Sequence, residues 1–404
     1  MKVLHTSDWH LGQQFYDHSR LEEQQAFLAW LVETLESEQI DLLLVSGDVF
    51  HTATPSAQAE QMLYDFIKSV KATCPQTQLI FIAGNHDSPA RIETAKPLLE
   101  RFDSHVIGRF DRKDPSRVVV PLKIHSENVF VVAMPFLRPS DINASQDELS
   151  RYENAVRMAY EQACATIECA EPYTLICMGH LHAKGGDISQ DSERNLCIGG
   201  FDSVSASIFP SNANYVALGH LHKAQRVAGS EAIRYCGTPM PMSFAEKKYK
   251  HQALVLTFSN SQLESVKPLY IPRHKELIQV PAEGALMLDA LCEELKALQV
   301  DAASPTPFLR LRMDAKETDS QFRAKIDEAM KHLNVHFCGI ERVSTSEQGA
   351  VESAMFDIEH AKEVTVRQLL EFAYHSQIDS EAEIPAHLES LLDTLVMELD
   401  ENEQ

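Results

Sequence analysis

The sequence predicts an α/β fold in which two sheets form a sandwich flanked by helices, followed by a small α+β domain and a C-terminal helical extension. Three observations predict it. The first 270 residues alternate short apolar, β-rich runs with amphipathic stretches. The later runs of this part follow one another closely, which favours antiparallel pairs and a second sheet. Side chains suited to binding metal follow five of the runs, as expected at one edge of a sheet.

Eight apolar runs are predicted strands. They cover residues 2–6, 41–46, 78–83, 128–134, 173–178, 215–218, 233–236 and 253–258. Two segments between the first three strands, 22–36 and 55–70, are predicted helices because their apolar residues recur at helical spacing. Thr54 and Pro55 are expected as the N-cap and the first turn of the second helix. Strand–helix–strand order implies right-handed crossovers and largely buried strands.

A domain boundary is predicted near residue 270, where three prolines occur between positions 268 and 281. Residues 282–345 then predict a helix, a strand (308–313), a second helix (320–333) and a second strand (336–343). Residues 346–404 predict an acidic extension with helices at 364–374 and 385–399, the latter with an apolar stripe. The expected domains are therefore 1–270, 271–345 and 346–404.

The charge of the chain is acidic but unevenly spread. The 404 residues include 36 Lys and Arg against 59 Asp and Glu, a net charge of −23 that at first argues against nucleic acid. Residues 351–404 hold 14 acidic and two basic side chains, so about half of the excess lies in this tail. The tail is expected to favour a protein partner, and the charge of the remaining chain leaves nucleic-acid binding open.

Membrane and secretory signals are absent from the sequence. No apolar run has the roughly 18 residues that a membrane span needs. The N-terminus enters the first strand without a signal-peptide pattern, and the eight cysteines include no C-x-x-C pair. We therefore expect a cytoplasmic protein with reduced thiols.

Five predicted strands are followed by residues of metal-ligand type. The five motifs are Asp8-Trp9-His10, Gly47-Asp48, Gly84-Asn85-His86-Asp87, Gly179-His180 and Gly219-His220-Leu221-His222. Each motif alone is commonly an ordinary turn or loop. Their joint occurrence, each after an apolar run, indicates a metal site at the carboxyl ends of the strands.

The number and type of donors indicate which ions the site would hold. The candidate ligands are Asp8, His10, Asp48, Asn85, His180, His220 and His222. Seven donors are too many for one ion and suit two ions that share a carboxylate. Carboxylate, amide and imidazole donors without thiolate fit Mn²⁺, Fe²⁺ or Zn²⁺, whereas Mg²⁺ and Ca²⁺ favour oxygen alone.

These motifs, in this order, resemble those of the metallophosphoesterase (calcineurin-like) superfamily. Longer stretches at 4–12, 135–139, 217–220 and 235–239 are similar to the nuclease subunits of bacterial SbcCD-type double-strand-break repair complexes. The resemblance is specific over residues 1–260 and rests on domain order beyond them. Two residues depart from the pattern: bacterial members often have Asp at the position of His51, and His182 is additional to the motif and expected to be a loop residue.

The resemblance implies a role for each site residue. One ion would be held by Asp8, His10, Asp48 and His222, and the other by Asp48, Asn85, His180 and His220. Two Mn²⁺ ions are the expected cofactors. His86 would give a proton to the leaving alkoxide, with Asp87 as the partner that orients it and His51 as the alternative donor.

The resemblance also implies a function. It is that of a metal-dependent DNA nuclease subunit, a double-strand 3′–5′ exonuclease and single-strand or hairpin endonuclease in DNA repair, recombination and replication. Its partners would be DNA ends and hairpins, a second copy within a heterotetramer, and an SbcC-type ATPase subunit. Residues 271–345 would cap the nuclease domain and bind DNA, and 346–404 would dock the coiled coil of the ATPase.

Two alternatives remain open. Another calcineurin-like phosphoesterase would act on small phosphodiesters or phosphoproteins without an ATPase partner. A scaffold without metal would keep the fold as a binding surface, but such a scaffold has no need of a complete set of ligands. Basic candidates for phosphate contacts, each with a solvated surface charge as the alternative, are Arg20, Arg91, Arg138, Lys184, Lys223 and Arg226.

Overall fold

A computed structural model of the chain describes residues 1–142, 149–184 and 203–343. Its strands are β1 (Lys2–Thr6), β2 (Gln14–Phe15), β3 (His18–Ser19), β4 (Leu42–Ser46), β5 (Gln78–Ile82), β6 (Ser104–Ile107), β7 (Val119–Ile124), β8 (Glu127–Ala133), β9 (Tyr173–His180), β10 (Tyr215–Gly219), β11 (Gln225–Arg226), β12 (Ile233–Tyr235), β13 (Gln252–Ser259), β14 (Gln262–Tyr270), β15 (Leu277–Val280), β16 (Phe308–Asp314) and β17 (His336–Val343). Its α-helices are α1 (Leu21–Ser37), α2 (Ala57–Thr73), α3 (Pro89–Ile92), α4 (Lys96–Leu99), α5 (Pro139–Ile142), α6 (Leu149–Ala165), α7 (Leu288–Ala297) and α8 (Phe322–Met330). None of the described helices has the length and apolar character to cross a membrane.

Two six-stranded sheets form the fold. The first has the order β14-β13-β1-β4-β5-β6, with β1, β4, β5 and β6 parallel and β13 antiparallel to both of its neighbours. The second has the order β11-β12-β10-β9-β8-β7, with a parallel centre and an antiparallel strand at each edge. Strands β15, β16 and β17 form a third, smaller sheet. The predicted α/β class and the two-sheet arrangement are confirmed.

Alternate residues of the first sheet belong to two different hydrophobic cores. One core faces the second sheet and includes Val3, Leu42, Leu44, Ile80 and Ile82. The other core faces α1 and α2 and includes Leu4, Leu43, Val45, Leu79 and Phe81. Because side chains alternate across a strand, continuous apolar runs bury both faces of this sheet. This double burial fixes the strand ends that carry the site.

Two sequence-based details were wrong. The second helix begins at Ala57 with Ser56 as its N-cap, because the Ser56 side chain accepts a hydrogen bond from the Ala59 N–H at 3.2 Å; Thr54 and Pro55 lie before the cap. The later strands, expected to continue as antiparallel pairs, include the parallel pair β10 and β12. The short strand β11 reverses the chain between them and pairs antiparallel with β12.

The proline-rich segment begins inside a strand. Pro268 lies within β14 and faces Leu254 of β13. Since β14 is the edge of its sheet, the missing N–H of a proline is tolerated there. Strand β14 was not predicted because polar residues interrupt its apolar ones, and none of its residues is buried.

The chain divides into two compact units. The first comprises Met1–Gln279, Leu298–Arg310 and His332–Gly339. The second comprises Val280–Ala297, Leu311–Lys331 and the described residues from Ile340 onward, with α7 packed on α8. The functional boundaries at 270 and 345 stay a prediction, and the helices expected at 364–374 and 385–399 lie outside the described residues.

Polar groups join the two large sheets inside the first unit. His5 of β1 is fully buried, and its Nδ1 lies 3.1 Å from the Tyr215 hydroxyl of β10. Nearby, the Ser46 hydroxyl of β4 donates to the carbonyl of Ala217 at 3.0 Å. Burial lowers the pKa of His5 to about 3, so this ring is neutral in the folded protein at pH 5 to 7.

We expect His5 to make folding sensitive to acid. The unfolded chain takes up a proton on this ring below its ordinary pKa of 6.5, whereas the folded chain does not until pH approaches 3. The stabilisation is therefore complete above pH 6.5 and declines as the pH falls, by about 2 kcal/mol at pH 5. Urea unfolding in EDTA should show the stability difference between wild type and His5→Gln shrinking by this amount from pH 7 to pH 5. His274→Gln, on an exposed ring, serves as the control, and an unchanged His5→Gln difference would contradict the expectation.

Candidate metal centre

The loop after β1 holds Asp8 and His10 in a strained backbone conformation. Their φ angles are 53° and 47°, in the left-handed region that residues other than glycine rarely adopt. Trp9 lies between them, fully buried, with its ring centroid 5.7 Å from that of Phe27 and 5.2 Å from that of Phe66. Packing of this indole anchors the loop and compensates for the strain at its neighbours.

The loop after β4 is fastened to the loop after β1 by backbone hydrogen bonds. The N–H of Asp8 donates to the carbonyl of Gly47, and the N–H of His10 donates to the carbonyl of Asp48, each at 3.0 Å. A side chain at Gly47 would overlap the ring of His180, so glycine is required for the approach of that ring. The two loops therefore present their polar side chains together.

Asp48 is the central carboxylate of the cluster. It is 2% exposed, and its Oδ1 accepts a hydrogen bond from the backbone N–H of His86 at 2.9 Å. Its Oδ2 lies 3.4 Å from His180 Nε2, 3.8 Å from His10 Nε2 and 4.0 Å from His86 Nε2. A carboxylate surrounded in this way suits a ligand shared by two ions.

Asn85 lies between two further histidines. Its Oδ1 is 2.9 Å from His180 Nε2 and 3.1 Å from His220 Nδ1. His180 Nδ1 lies 2.9 Å from the carbonyl of Ser46, which only accepts, so this nitrogen carries a proton. In a neutral His180 ring, Nε2 and the Asn85 oxygen are then two acceptors in contact, which requires a proton or a cation between them.

The remaining candidate donors also lie close enough together to bind a cation. Asp8, His10 and His222 offer ligand atoms that all lie within 4.8 Å of one another, as do Asp8, Asp48 and His180. His10 Nε2 is buried and has no hydrogen-bond partner. An orphaned buried nitrogen beside two buried carboxylates fits a divalent cation. The residues present therefore fit the metal centre expected from the sequence.

Burial and neighbouring charges shift the pKa values of three residues in the cluster. Burial raises the pKa of Asp8 to about 6, and the negative charge of Asp48 adds to this effect. For Asp48, burial acts in the same direction, but positive charge on His180 and His86 outweighs it and holds the pKa well below its usual range. Burial would lower the pKa of His180, but the charge of Asp48 raises it to about 9. Metal binding at His180 therefore has to displace a proton.

Glu246, which the sequence did not reveal, orients His222. The two side chains are buried, and Glu246 Oε1 lies 2.8 Å from His222 Nδ1. The other carboxylate oxygen accepts from the N–H of Met242 at 2.8 Å. The carboxylate holds the proton on Nδ1 and leaves Nε2 as the donor atom for a metal. No spacing rule marks this residue, because the contact depends on the turn that follows Ser243.

His86 and His51 lie beside the candidate metal ligands, and their contacts change the expectation for Asp87. His86 Nδ1 lies 2.7 Å from the carbonyl of His51, which orients the His86 ring. The carboxylate of Asp87 instead accepts hydrogen bonds from three backbone N–H groups: those of Val49, Phe50 and Gly84. These contacts connect the loops after β4 and β5. They give Asp87 a structural task, and the carbonyl of His51 replaces it as the observed partner of His86.

All ten predicted site residues lie in this one cluster, and their individual roles stay predictions. The additional His182 has its ring centroid 6.5 Å from that of His220. Four of the six basic candidates form ion pairs: Arg20 with Glu23, Arg91 with Glu60, Lys184 with Glu153 and Arg226 with Glu231. Arg20 is also buried. Pairing leaves these four poorly suited to phosphate contacts.

Comparison with known proteins agrees with this geometry. Residues 1–224 match the family model of the calcineurin-like phosphoesterases. SbcD of the nuclease SbcCD from Escherichia coli K12 is 34% identical over 355 residues, 85% of each chain, and SbcD from Bacillus subtilis 168 is 33% identical over 294 residues, 71% of this chain and 73% of the relative. TT1561 of Thermus thermophilus aligns with 66% of this chain and 98% of its own at 13% identity and a TM-score of 0.36, too low to bear on fold or function.

The chain belongs to the calcineurin-like phosphoesterases and, within them, to the SbcD family of nuclease subunits. It is a phosphodiester hydrolase with a site for divalent metal. The complete donor set described above agrees with that membership.

We expect Glu246→Gln to weaken metal binding about 10- to 100-fold, the usual effect of losing such an outer carboxylate. An amide must turn its NH₂ group toward either His222 Nδ1 or the Met242 N–H, so one of the two hydrogen bonds is lost. Calorimetric titration with Mn²⁺ measures the affinity directly. Glu264→Gln, on an exposed position of β14, is the matched control. Equal affinities for wild type and Glu246→Gln would contradict the role given to this residue.

Proposed function

We propose that this chain is a metal-dependent DNA nuclease subunit that works with an ATPase partner. The observation that supports the proposal is a cluster of seven candidate metal donors, gathered at strand ends, in a chain 34% identical to a subunit of the nuclease SbcCD. The proposed activities are 3′–5′ exonuclease action on duplex DNA and endonuclease action on single strands and hairpins. The proposed roles are repair, recombination and replication of DNA.

Two divalent ions, with Mn²⁺ the first candidate, would be held as the sequence suggested. Asp8, His10 and His222 would hold one, Asn85, His180 and His220 the other, and Asp48 would contribute to both. When bound, such ions supply an activated water molecule and neutralise negative charge on the phosphodiester. The protein contributes the fixed positions of these donors, so little reorganisation accompanies the reaction.

His86 is the proposed proton donor to the leaving oxygen. Its Nδ1 donates to the carbonyl of His51, so a proton on Nε2 makes the ring a cation that can act as an acid. His86 Nε2 lies 4.0 Å from Asp48 Oδ2, and the ring is partly exposed, as access to substrate requires. His51 stays the alternative donor, because its ring stacks on that of His86 at 5.5 Å.

The proposed partners are DNA ends and hairpins, a second copy of this chain, and an ATPase subunit of the SbcC type. The names of the relatives support the ATPase partner, since they describe one subunit of an SbcCD complex. The acidic tail, 14 acidic against two basic residues over 351–404, supports a docking role with protein and not with DNA. Residues 271–345 are proposed as the capping domain.

We expect His86→Ala to lower kcat on a labelled DNA hairpin by 10²- to 10⁴-fold, the usual contribution of a general acid. Mn²⁺ affinity should change little, because His86 is not a proposed ligand. His125→Ala, on a side chain that is 69% exposed, is the control. The assay is run with and without the ATPase subunit, ATP and EDTA. Hairpin cleavage that survives both EDTA and His86→Ala would overturn the proposal, and preferential hydrolysis of small phosphodiesters or phosphopeptides would favour the alternative.

A further inference from the structure

A cavity separate from the metal cluster lies in the first unit. Its volume is about 270 Å³, and it is bordered by α1, by residues 239–251 and by residues 270–276. The walls are largely apolar and include Phe27, Met240 and Ile271. Both acidic residues of its lining have basic partners: Glu23 bonds to Arg20 at 3.0 Å, and Glu276 lies 3.7 Å from Arg273. The cavity therefore offers apolar surface without a free negative charge.

One buried polar atom in this lining lacks a partner. His251 is 8% exposed, and its Nδ1 lies 2.9 Å from the carbonyl of Thr238, so Nδ1 donates. Its Nε2 is buried without a hydrogen bond. Burial lowers the pKa of the ring to about 4, so Nε2 is a free acceptor at neutral pH. The lining therefore includes a neutral imidazole ring with an unpartnered acceptor nitrogen.

The rim of the cavity combines an aromatic ring with positive charge. Tyr270 is 57% exposed, and Lys250 Nζ lies 5.7 Å from its ring centre. Among the described residues, Lys250 has no acidic partner. The pKa of Lys247 is lowered by burial and by the positive charges of Arg273 and Lys248. Positive charge is therefore concentrated here, in a chain whose net charge is −23.

Hydrogen bonds connect this cavity to the metal cluster. Thr238 accepts from His251 through its carbonyl, and its N–H donates to the carbonyl of His222 at 3.1 Å. The segment that follows also carries Glu246, which orients His222. His251, in the lining of the cavity, is thus two hydrogen bonds from the backbone of a candidate metal ligand.

We propose that this cavity binds one unpaired nucleotide of a DNA strand. An apolar slot accepts a base, Tyr270 offers a stacking surface, and Lys250 attracts phosphate. The proposal rests on the proposed nuclease function and extends it: an unpaired nucleotide held here gives the enzyme a preference for frayed ends and hairpin loops over paired duplex.

Binding of fluorescent DNA to the full chain in EDTA tests this. The substrates are a hairpin with an unpaired loop and a fully paired duplex, compared by anisotropy at low salt. Tyr270→Ala should weaken hairpin binding about 5- to 100-fold, the contribution of one base–aromatic stack. Lys250→Ala should weaken it less and reduce its salt dependence. Lys267→Ala, on a 60% exposed side chain of the same strand, should change nothing, and none of the variants should alter duplex binding.

Other outcomes overturn the proposal in distinct ways. Equal hairpin binding by wild type, Tyr270→Ala and Lys250→Ala would refute the cavity, whereas cleavage by the Mn²⁺-loaded wild type in the same preparation would leave the nuclease function standing. Displacement of the hairpin by a deoxynucleoside monophosphate that binds as tightly would show a site for free nucleotide. Loss of binding to the ATPase partner in these variants, with hairpin binding intact, would assign the surface to protein.

Discussion

The buried carboxylate of Asp48 is the constraint on which the site depends. It lies 2% exposed within 4.0 Å of three histidine nitrogens, and the carboxylate of Asp8 is buried beside it. Two buried carboxylates repel one another unless positive charge lies between them. The left-handed backbone at Asp8, His10 and Asp48 is a cost that the fold bears beside these carboxylates. Divalent cations would supply this positive charge. Both the backbone strain and the burial of the carboxylates are therefore expected of a site that binds metal.

Hydrogen bonds to surrounding groups fix which ring nitrogen of three histidines faces the centre of the cluster. The carbonyl of Ser46 does this for His180, the carboxylate of Glu246 for His222, and the carbonyl of His51 for His86. Each partner accepts from Nδ1 and leaves Nε2 for chemistry. The protein thus sets the tautomers through groups from three different segments. The segment that carries Glu246 also borders the cavity beside α1, so one segment of the chain contacts both the cavity and the metal cluster.

The sequence predicted those parts of the molecule whose cause is local. Apolar runs of five or six residues mark buried strands, and the polar residues that follow mark the sheet edge, so all seven candidate ligands were placed in one cluster. Glu246 was missed because its partner His222 lies 24 residues away and no periodicity connects them. Strand β14 was missed because this edge strand mixes polar and apolar residues and has no continuous apolar run. The orienting role expected for Asp87 rested on its place next to His86 in the sequence. In the structure, its carboxylate accepts hydrogen bonds from backbone N–H groups instead.

The most direct test of the account is the number of Mn²⁺ ions bound per chain in wild type and in Asp48→Asn. A shared carboxylate predicts two ions, close enough for their electron spins to couple in an electron paramagnetic resonance spectrum. Asp48→Asn should lose the coupled signal and weaken both sites together, while the control Asp65→Asn, on the surface of α2, should keep both. One ion per wild-type chain, or two ions that Asp48→Asn leaves undisturbed, would contradict the shared site.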